Sequence, residues 1–201
     1  MARSIDPQRV AERRSAITHS AAELFATHGY ERTTAAQIAR AAGLSSGSVF
    51  YYFADKAAVF RSIFELSIPE HTELIARHID RTDCLDAILD IVDALAGESL
   101  DPVAPGLMVE LLRRLDQDEE LTAVVLEDAR LSAAALTTLL ERGIAQGHID
   151  PGFEPAETAR WILSIVDATF LNADPEQPYD PRPLVRATIS RLLRPIGMED
   201  R

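Results

Sequence analysis

Cysteine and lysine are almost missing from this 201-residue chain. Cys84 is the single cysteine, so no internal disulfide is available, and one thiol suits a reducing cytoplasm. It reads as a small half-buried residue beside a helix start. Lys56 is the single lysine, and the other nineteen basic residues are arginine. No run approaches the roughly 18 uncharged apolar residues of a membrane span. The N-terminal stretch from Met1 to Arg9 has no apolar export segment, so export is not expected and a cytoplasmic location is. Alternating strand patterns, internal repeats and low-complexity tracts are also missing. So are G-x-G-x-x-G, the Walker loop and H-E-x-x-H. His71 and His78 are the nearest metal candidates, but seven residues on a helix is about 10.5 Å of rise, too far for one ion. No enzyme activity, cofactor or metal is expected.

Acidic residues dominate what is present. The net charge is −12, which as a bulk figure opposes nucleic-acid binding. Its distribution reverses that reading. Residues 1–60 carry seven Lys+Arg against five Asp+Glu, a net of +2, whereas residues 61–201 carry thirteen against twenty-seven, a net of −14. Only the N-terminal end can approach phosphates favourably.

Helical punctuation is clear along the chain. Asp6 can cap a first helix with Pro7 at its first position. Val10, Ile17, Ala21, Leu24 and Phe25 then share a face, and Gly29 ends the helix. Thr34 and Gln37 match a capping box for a second helix, which Gly43 ends. Ser45 is expected to cap a short third helix reaching about Tyr51. Asp55 caps a fourth, from Lys56 into the high seventies, which Pro69 should kink or interrupt. Later helices are expected near 83–96, 102–115, 118–146, 155–173 and 181–194. Pro102, Pro105, Pro151, Pro155, Pro175, Pro178, Pro181 and Pro183 cluster at the gaps.

Two short helices joined by a tight turn, Thr33 to Lys56, have the shape of a helix-turn-helix, which lays its second helix in the DNA major groove. Small polar residues in Gly43-Leu44-Ser45-Ser46-Gly47-Ser48 let a helix sit deep in a groove, with hydroxyls that can reach phosphates or base edges. Val49 and Phe53 should face inward. Phe50, Tyr51 and Tyr52 cannot all be core, so at least one points out. Lys56 sits in the first turn of a helix, where positive charge is unfavourable by roughly 0.3–1 kcal/mol, and a bound phosphate would remove that conflict.

These residues resemble the tetracycline-repressor (TetR) family of bacterial transcriptional regulators. The likeness runs through Ala21-Ala22-Glu23-Leu24-Phe25, Gly29-Tyr30, Thr33-Thr34, Ile38-Ala39, Ala42-Gly43-Leu44-Ser45, Gly47, Tyr52-Phe53 and Lys56. Later it has only helical layout and an ending such as Arg142-Gly143…Gly147-His148-Ile149. The resemblance implies an all-α fold: a three-helix helix-turn-helix DNA-binding domain over 1–56, then a larger helical effector-binding and dimerisation domain over 57–201. It implies a homodimer on a palindromic double-stranded DNA operator, usually a ligand-released repressor. Thr34, Ser45, Ser46, Gly47, Ser48, Phe50, Tyr51, Tyr52 and Lys56 would line the DNA face. Phe50 departs from the family's usual tyrosine and offers only an apolar contact. Arg3 and Arg9 would form a short arm toward phosphate or minor groove.

In the body, Trp161 to Leu171 is apolar almost all round, and Leu184 to Leu193 repeats apolar residues with Arg186, Arg191 and Arg194 opposite. These two helices resemble the family's dimer interface, giving Ile162, Ile165, Val166, Phe170, Leu184, Ile189 and Leu192 as contacts. A small, mostly apolar effector would be lined by Phe64, Ile68, His71, Leu107, Met108, Leu111, Leu126 and Trp161. Glu110, Asp90 and Asp93 read as solvated helix faces. Two alternatives stand beside this reading: an activator of the same fold, and a helical interaction protein that has lost DNA binding.

Overall fold

Asp6 accepts a hydrogen bond from the N–H of Gln8 and Pro7 follows it, so the first helix starts where its cap dictates. The computed structural model describes residues 6–45, 47–150, 152–173 and 179–194. Arg3, Ser46, Pro151, Pro175 and Pro178 lie outside the described residues. Helices run as α1 Pro7–His28, α2 Ala35–Ala41, α3 Val49–Tyr52, α4 Lys56–Glu65, α5 Ser67–His78, α6 Cys84–Gly97, α7 Ala104–Arg114, α8 Glu119–Ala145, α9 Pro155–Leu171 and α10 Arg182–Leu193. A 3-10 turn, Glu98–Leu100, follows α6. Among the described residues there is no strand, and no helix is long and apolar enough to cross a membrane.

Pro69 interrupts the expected fourth helix. Its ring has no N–H for the carbonyl of Glu65, and the hydrogen-bonded ladder breaks at Leu66, leaving α4 and α5. The third helix is shorter than expected. Ser48, not Ser45, precedes it, and Ser48 makes no side-chain cap. The N–H of Ser48 instead bonds the carbonyl of Ser45 at 2.9 Å, a turn that delays the helix until Val49.

The chain divides into two compact units, Met1–Ser67 with Pro105–Val124, and Ile68–Ala104 with Val125–Arg201. This differs from a division after residue 56. In the first unit α4 packs on α1, where the Thr18 and Ser62 hydroxyls lie 2.7 Å apart in the interior. Phe25, Tyr30 and Phe60 form an aromatic cluster with ring centres 5.2–5.4 Å apart, and Phe64 extends it at 5.2 Å from Phe60. Arg61 reaches Asp118 at 3.2 Å and Glu120 at 2.6 Å. α7 approaches α1 closely because residue 106 is glycine: a Cβ there would lie 2.6 Å from the Ala26 carbonyl oxygen. That approach, between residues 80 apart in sequence, draws α7 into the first unit.

α6 is the centre of the second unit. Cys84, Ala87, Ile88, Leu89, Ile91, Val92, Leu95 and Ala96 are all buried on it. They pack with Leu136, Leu139 and Leu140 of α8, Ala159, Ile162 and Val166 of α9, and Val185, Ile189 and Leu193 of α10. Each large side chain buried there contributes about 1.5–3 kcal/mol. α8 ends on Gly147 at φ +73°, and the N–H of His148 returns to the Gly143 carbonyl at 3.0 Å. Ile149 folds back over Gly143, where a Cβ would collide with its Cδ1. Asp90 and Asp93, expected as solvated faces, hold Arg186 at 3.1 and 2.5 Å, and Arg81 reaches Asp90 at 2.6 Å.

Gly106→Ala should therefore destabilise the protein by about 1–3 kcal/mol, since backbone rather than a flexible side chain must give way. Thermal unfolding followed by circular dichroism measures this. A wild-type Tm in that variant would contradict the close approach of α7 to α1.

Candidate nucleic-acid interface

Local chemistry builds the reading segment. The Thr34 hydroxyl accepts from the N–H of Gln37 at 3.3 Å, and the Gln37 side chain accepts from the N–H of Thr34 at 2.8 Å, a complete capping box. Ile38 and Ala39 are buried, which leaves Ala36, Arg40 and Ala41 facing out. Gly43, at φ +68°, ends α2 in a Schellman arrangement: its N–H bonds Arg40 O at 3.1 Å and the N–H of Leu44 bonds Ala39 O at 2.8 Å. Val49 on α3 and Phe53 just after it turn inward, while Phe50 and Tyr51 are 56% and 67% exposed. Tyr52 is half-buried, its ring edge-on to Tyr51 at 5.0 Å. Ser45 and Gly47 are exposed and Ser48 half-buried.

Exposed hydroxyls, a phenol and an apolar ring thus lie on a short helix and its leading turn. From Arg32 to Ala54 the sequence has no acidic residue, so nothing there repels phosphate. Gly43-Leu44-Ser45-Ser46-Gly47 also spells G-x-S-x-G, the pattern of a hydrolase nucleophile elbow. Here it lies between two helices and not after a strand, and the Ser45 hydroxyl is 2.6 Å from that of Ser48. That is no activated nucleophile.

Lys56, expected as a phosphate contact, is engaged by the protein's own backbone. Its ammonium donates to the carbonyls of Tyr30 at 2.7 Å and Thr33 at 3.1 Å, and stands 4.1 Å from the Tyr30 ring centre. Two of its three protons are spent fixing the turn between α1 and α2. A similar task falls to Arg14, which gave no sequence signal because its partner is made by tertiary folding. It donates to the Tyr52 carbonyl at the end of α3 and lies 4.1 Å from the Phe53 ring centre. Arg40 is the other omission, an exposed cation at the end of α2.

The expected effector-lining residues are spread over both units. Leu107 and Leu111 are buried in the first, Met108 is half-buried, and Phe64 belongs to the aromatic cluster. In the second, Ile68 is half-buried and Leu126 exposed. Trp161 is 62% exposed. His71 is not an apolar wall either. It is buried, with Nδ1 2.9 Å from Asp128 and Nε2 2.8 Å from Glu98. Burial alone would lower its pKa, but hydrogen bonds to the two carboxylates outweigh it and raise it to about 10.

The expected dimer contacts divide in three. Ile162, Val166 and Ile189 are core residues of the second unit and are not available to a partner. Ile165, Phe170 and Leu192 are half-buried against that core. Leu184 is 68% exposed. Trp161, Ala168 and Leu171 are exposed at helical spacing on the outward side of α9.

The family description of bacterial regulatory proteins, tetR family, matches residues 17–63. The HTH-type transcriptional repressor Rv1474c of Mycobacterium tuberculosis is 30% identical over 162 residues, covering 81% of this chain and 82% of that protein. The HTH-type transcriptional repressor BepR of Brucella suis is 30% identical over 168 residues, covering 81% and 80%. Among solved structures, the fatty acid degradation regulator FadR of Bacillus halodurans superposes with a TM-score of 0.77 at 22% identity, covering 99% of this chain and all of that one. That likeness is one of fold.

Two outcomes follow from the geometry. Lys56→Ala should lower the Tm, since two loop carbonyls lose a charged donor worth about 1.5–3 kcal/mol. The salt dependence of DNA binding should stay at its wild-type slope; a slope smaller by one contact per subunit would restore the phosphate role. For His71, the folded-state pKa lies above the ordinary 6.5, so its stabilisation is complete below about pH 6.5 and is lost as pH rises toward 10. Wild type should lose more Tm than His71→Gln between pH 6 and pH 10. Parallel losses would contradict the buried imidazolium.

Proposed function

The chain belongs to the tetR family of bacterial regulatory proteins, a DNA-binding transcriptional regulator, and we propose that it works as a homodimeric repressor released from a palindromic operator by a small effector. The observation that carries the reading is the exposed pair Phe50 and Tyr51 on α3, in a reading segment free of acidic residues. The relatives' description as repressors supports the sign of regulation.

Ser45, Gly47 and Tyr51 are proposed to contact phosphate or base edges, and Phe50 an apolar base edge such as a thymine methyl. Thr34 contributes mainly as a cap, because its hydroxyl is already committed to Gln37. The dimer is proposed to form through Trp161, Ile165, Ala168 and Leu171 of α9 with Leu184 of α10. Exposed apolar residues at that spacing on two helices are uneconomical in a monomer. An isologous pair joined there can present two readers one DNA turn apart, roughly 34–36 Å. Effector binding is assigned to residues 57–201. A mostly apolar effector is supported by Leu100 and Leu126, both over two-fifths exposed in the second unit. The protein is proposed to act in the cytoplasm, where its operator lies.

Selection of bound sequences from a random duplex pool, at two salt concentrations, tests the central claim. A palindrome with steep salt dependence is expected. Recovery of nothing above background would favour a helical interaction protein instead. Tyr51→Ala should weaken binding to the recovered site by about tenfold, read by titration of labelled duplex. Leu184→Glu should sediment as a monomer; unchanged dimers would place the interface elsewhere.

A further inference from the structure

Two glycines end helices in the first unit, and they do so differently. After α2, Gly43 sends the next N–H, that of Leu44, back to the helix. After α1, Gly29 bonds Phe25 O at 3.0 Å, but its backbone lies at φ +80°, ψ +158°, a region open essentially to glycine alone. The next N–H, that of Tyr30, points away from α1 and donates to Glu110 Oε2 of α7 at 3.0 Å. The two endings differ above all in the acceptor of that next N–H.

That acceptor is unusual. Glu110 is 8% exposed, and burying a carboxylate for packing alone is unfavourable. Its Oε1 takes Arg113 at 2.6 Å, an arginine that is itself mostly exposed. Gly29 is open enough to admit it, since a Cβ there would sit 3.3 Å from Glu110 Oε1. Gly106 brings α7 near enough to reach. Arg114, one turn on, lies 3.5 Å from the Tyr30 ring centre. Each of these features converges on the residue where the chain leaves α1 for α2.

We propose that Glu110 is a positioning residue for DNA reading: through the N–H of Tyr30 it sets the turn from which α2 and α3 are presented. With the carboxylate withdrawn, the Tyr30 N–H must find another acceptor. The carbonyls of α1 are nearest in the chain, and reaching them requires Gly29 to fall into the left-handed conformation that Gly43 already adopts. That change re-aims Glu31 to Thr34 and the reader after them. The role rests on the DNA-reading function proposed above and extends it to a residue of α7.

The test compares wild type, Glu110→Gln and Glu110→Ala for three quantities: the ratio of affinity for the selected operator to that for random duplex, the Tyr30 amide resonance, and the Tm. In Glu110→Ala the ratio should fall by about tenfold or more, while random-duplex binding, governed by phosphate charge, stays unchanged. The Tyr30 amide should shift. Glu110→Gln, whose amide oxygen still accepts, should restore the ratio and the resonance. A lowered Tm with an unchanged ratio would reduce Glu110 to a structural residue and overturn the proposal, as would equal losses in Gln and Ala. Should Glu110→Ala fail to fold, Glu110→Asp, one methylene short of reach, is read in the same way. If wild type selects no operator, the DNA reading itself has failed, and the Tyr30 amide still reports on its bond to Glu110 without DNA.

Discussion

The turn at Gly29 and Tyr30 is the constraint on which the reading unit depends. α2 has seven residues and α3 four, both too short to hold a direction by themselves. Their orientation is borrowed from this turn and from the aromatic cluster beneath it. Tyr30 is held by its N–H to Glu110, its carbonyl to Lys56, and its ring between Phe25, Phe60, Lys56 and Arg114. Burial raises the pKa of its phenol, and Arg114 pulls the other way. Cation–π contacts of this kind contribute about 0.5–2 kcal/mol each. A short DNA-reading motif is thereby made rigid with contacts drawn from three other helices.

Charge follows the same division of labour. The reader avoids acidic residues for over twenty positions, while the rest of the chain carries the negative excess. In the second unit four of these carboxylates are held in pairs. Arg186 joins Asp90 and Asp93, and His71 joins Asp128 and Glu98. Repulsion from DNA then discourages any docking except through the N-terminal end. The outward sides of α9 and α10 carry the exposed apolar residues Trp161, Leu171 and Leu184, which is why association is proposed there.

Local signals were legible in the sequence. Asp6, the Thr34–Gln37 box, Gly29, Gly43 and Asp55 each act within one helical turn, and every one appears where its chemistry places it. Pro69 broke its helix for the same local reason. Val49 and Phe53 faced inward, as apolar spacing requires. The start of α3 was not legible, because Ser45 and Ser48 offer equivalent caps and a backbone turn decides between them. The α9 pattern was too apolar to sort: Ile162 and Val166 looked like Trp161 and Leu171 until packing against α6 separated core from surface.

The sequence alone determined the all-helical class, the helix ends other than the start of α3, the reading motif and its family, because each is written in neighbouring residues or in a specific short string. Tertiary structure alone decided what Lys56, Arg14, His71 and Glu110 do. A charged side chain's role depends on which backbone or carboxylate folding brings to it, and those partners lie between 23 and 80 residues away. It also decided that α7 belongs with the reader, since Gly106 matters only once Ala26 stands beside it.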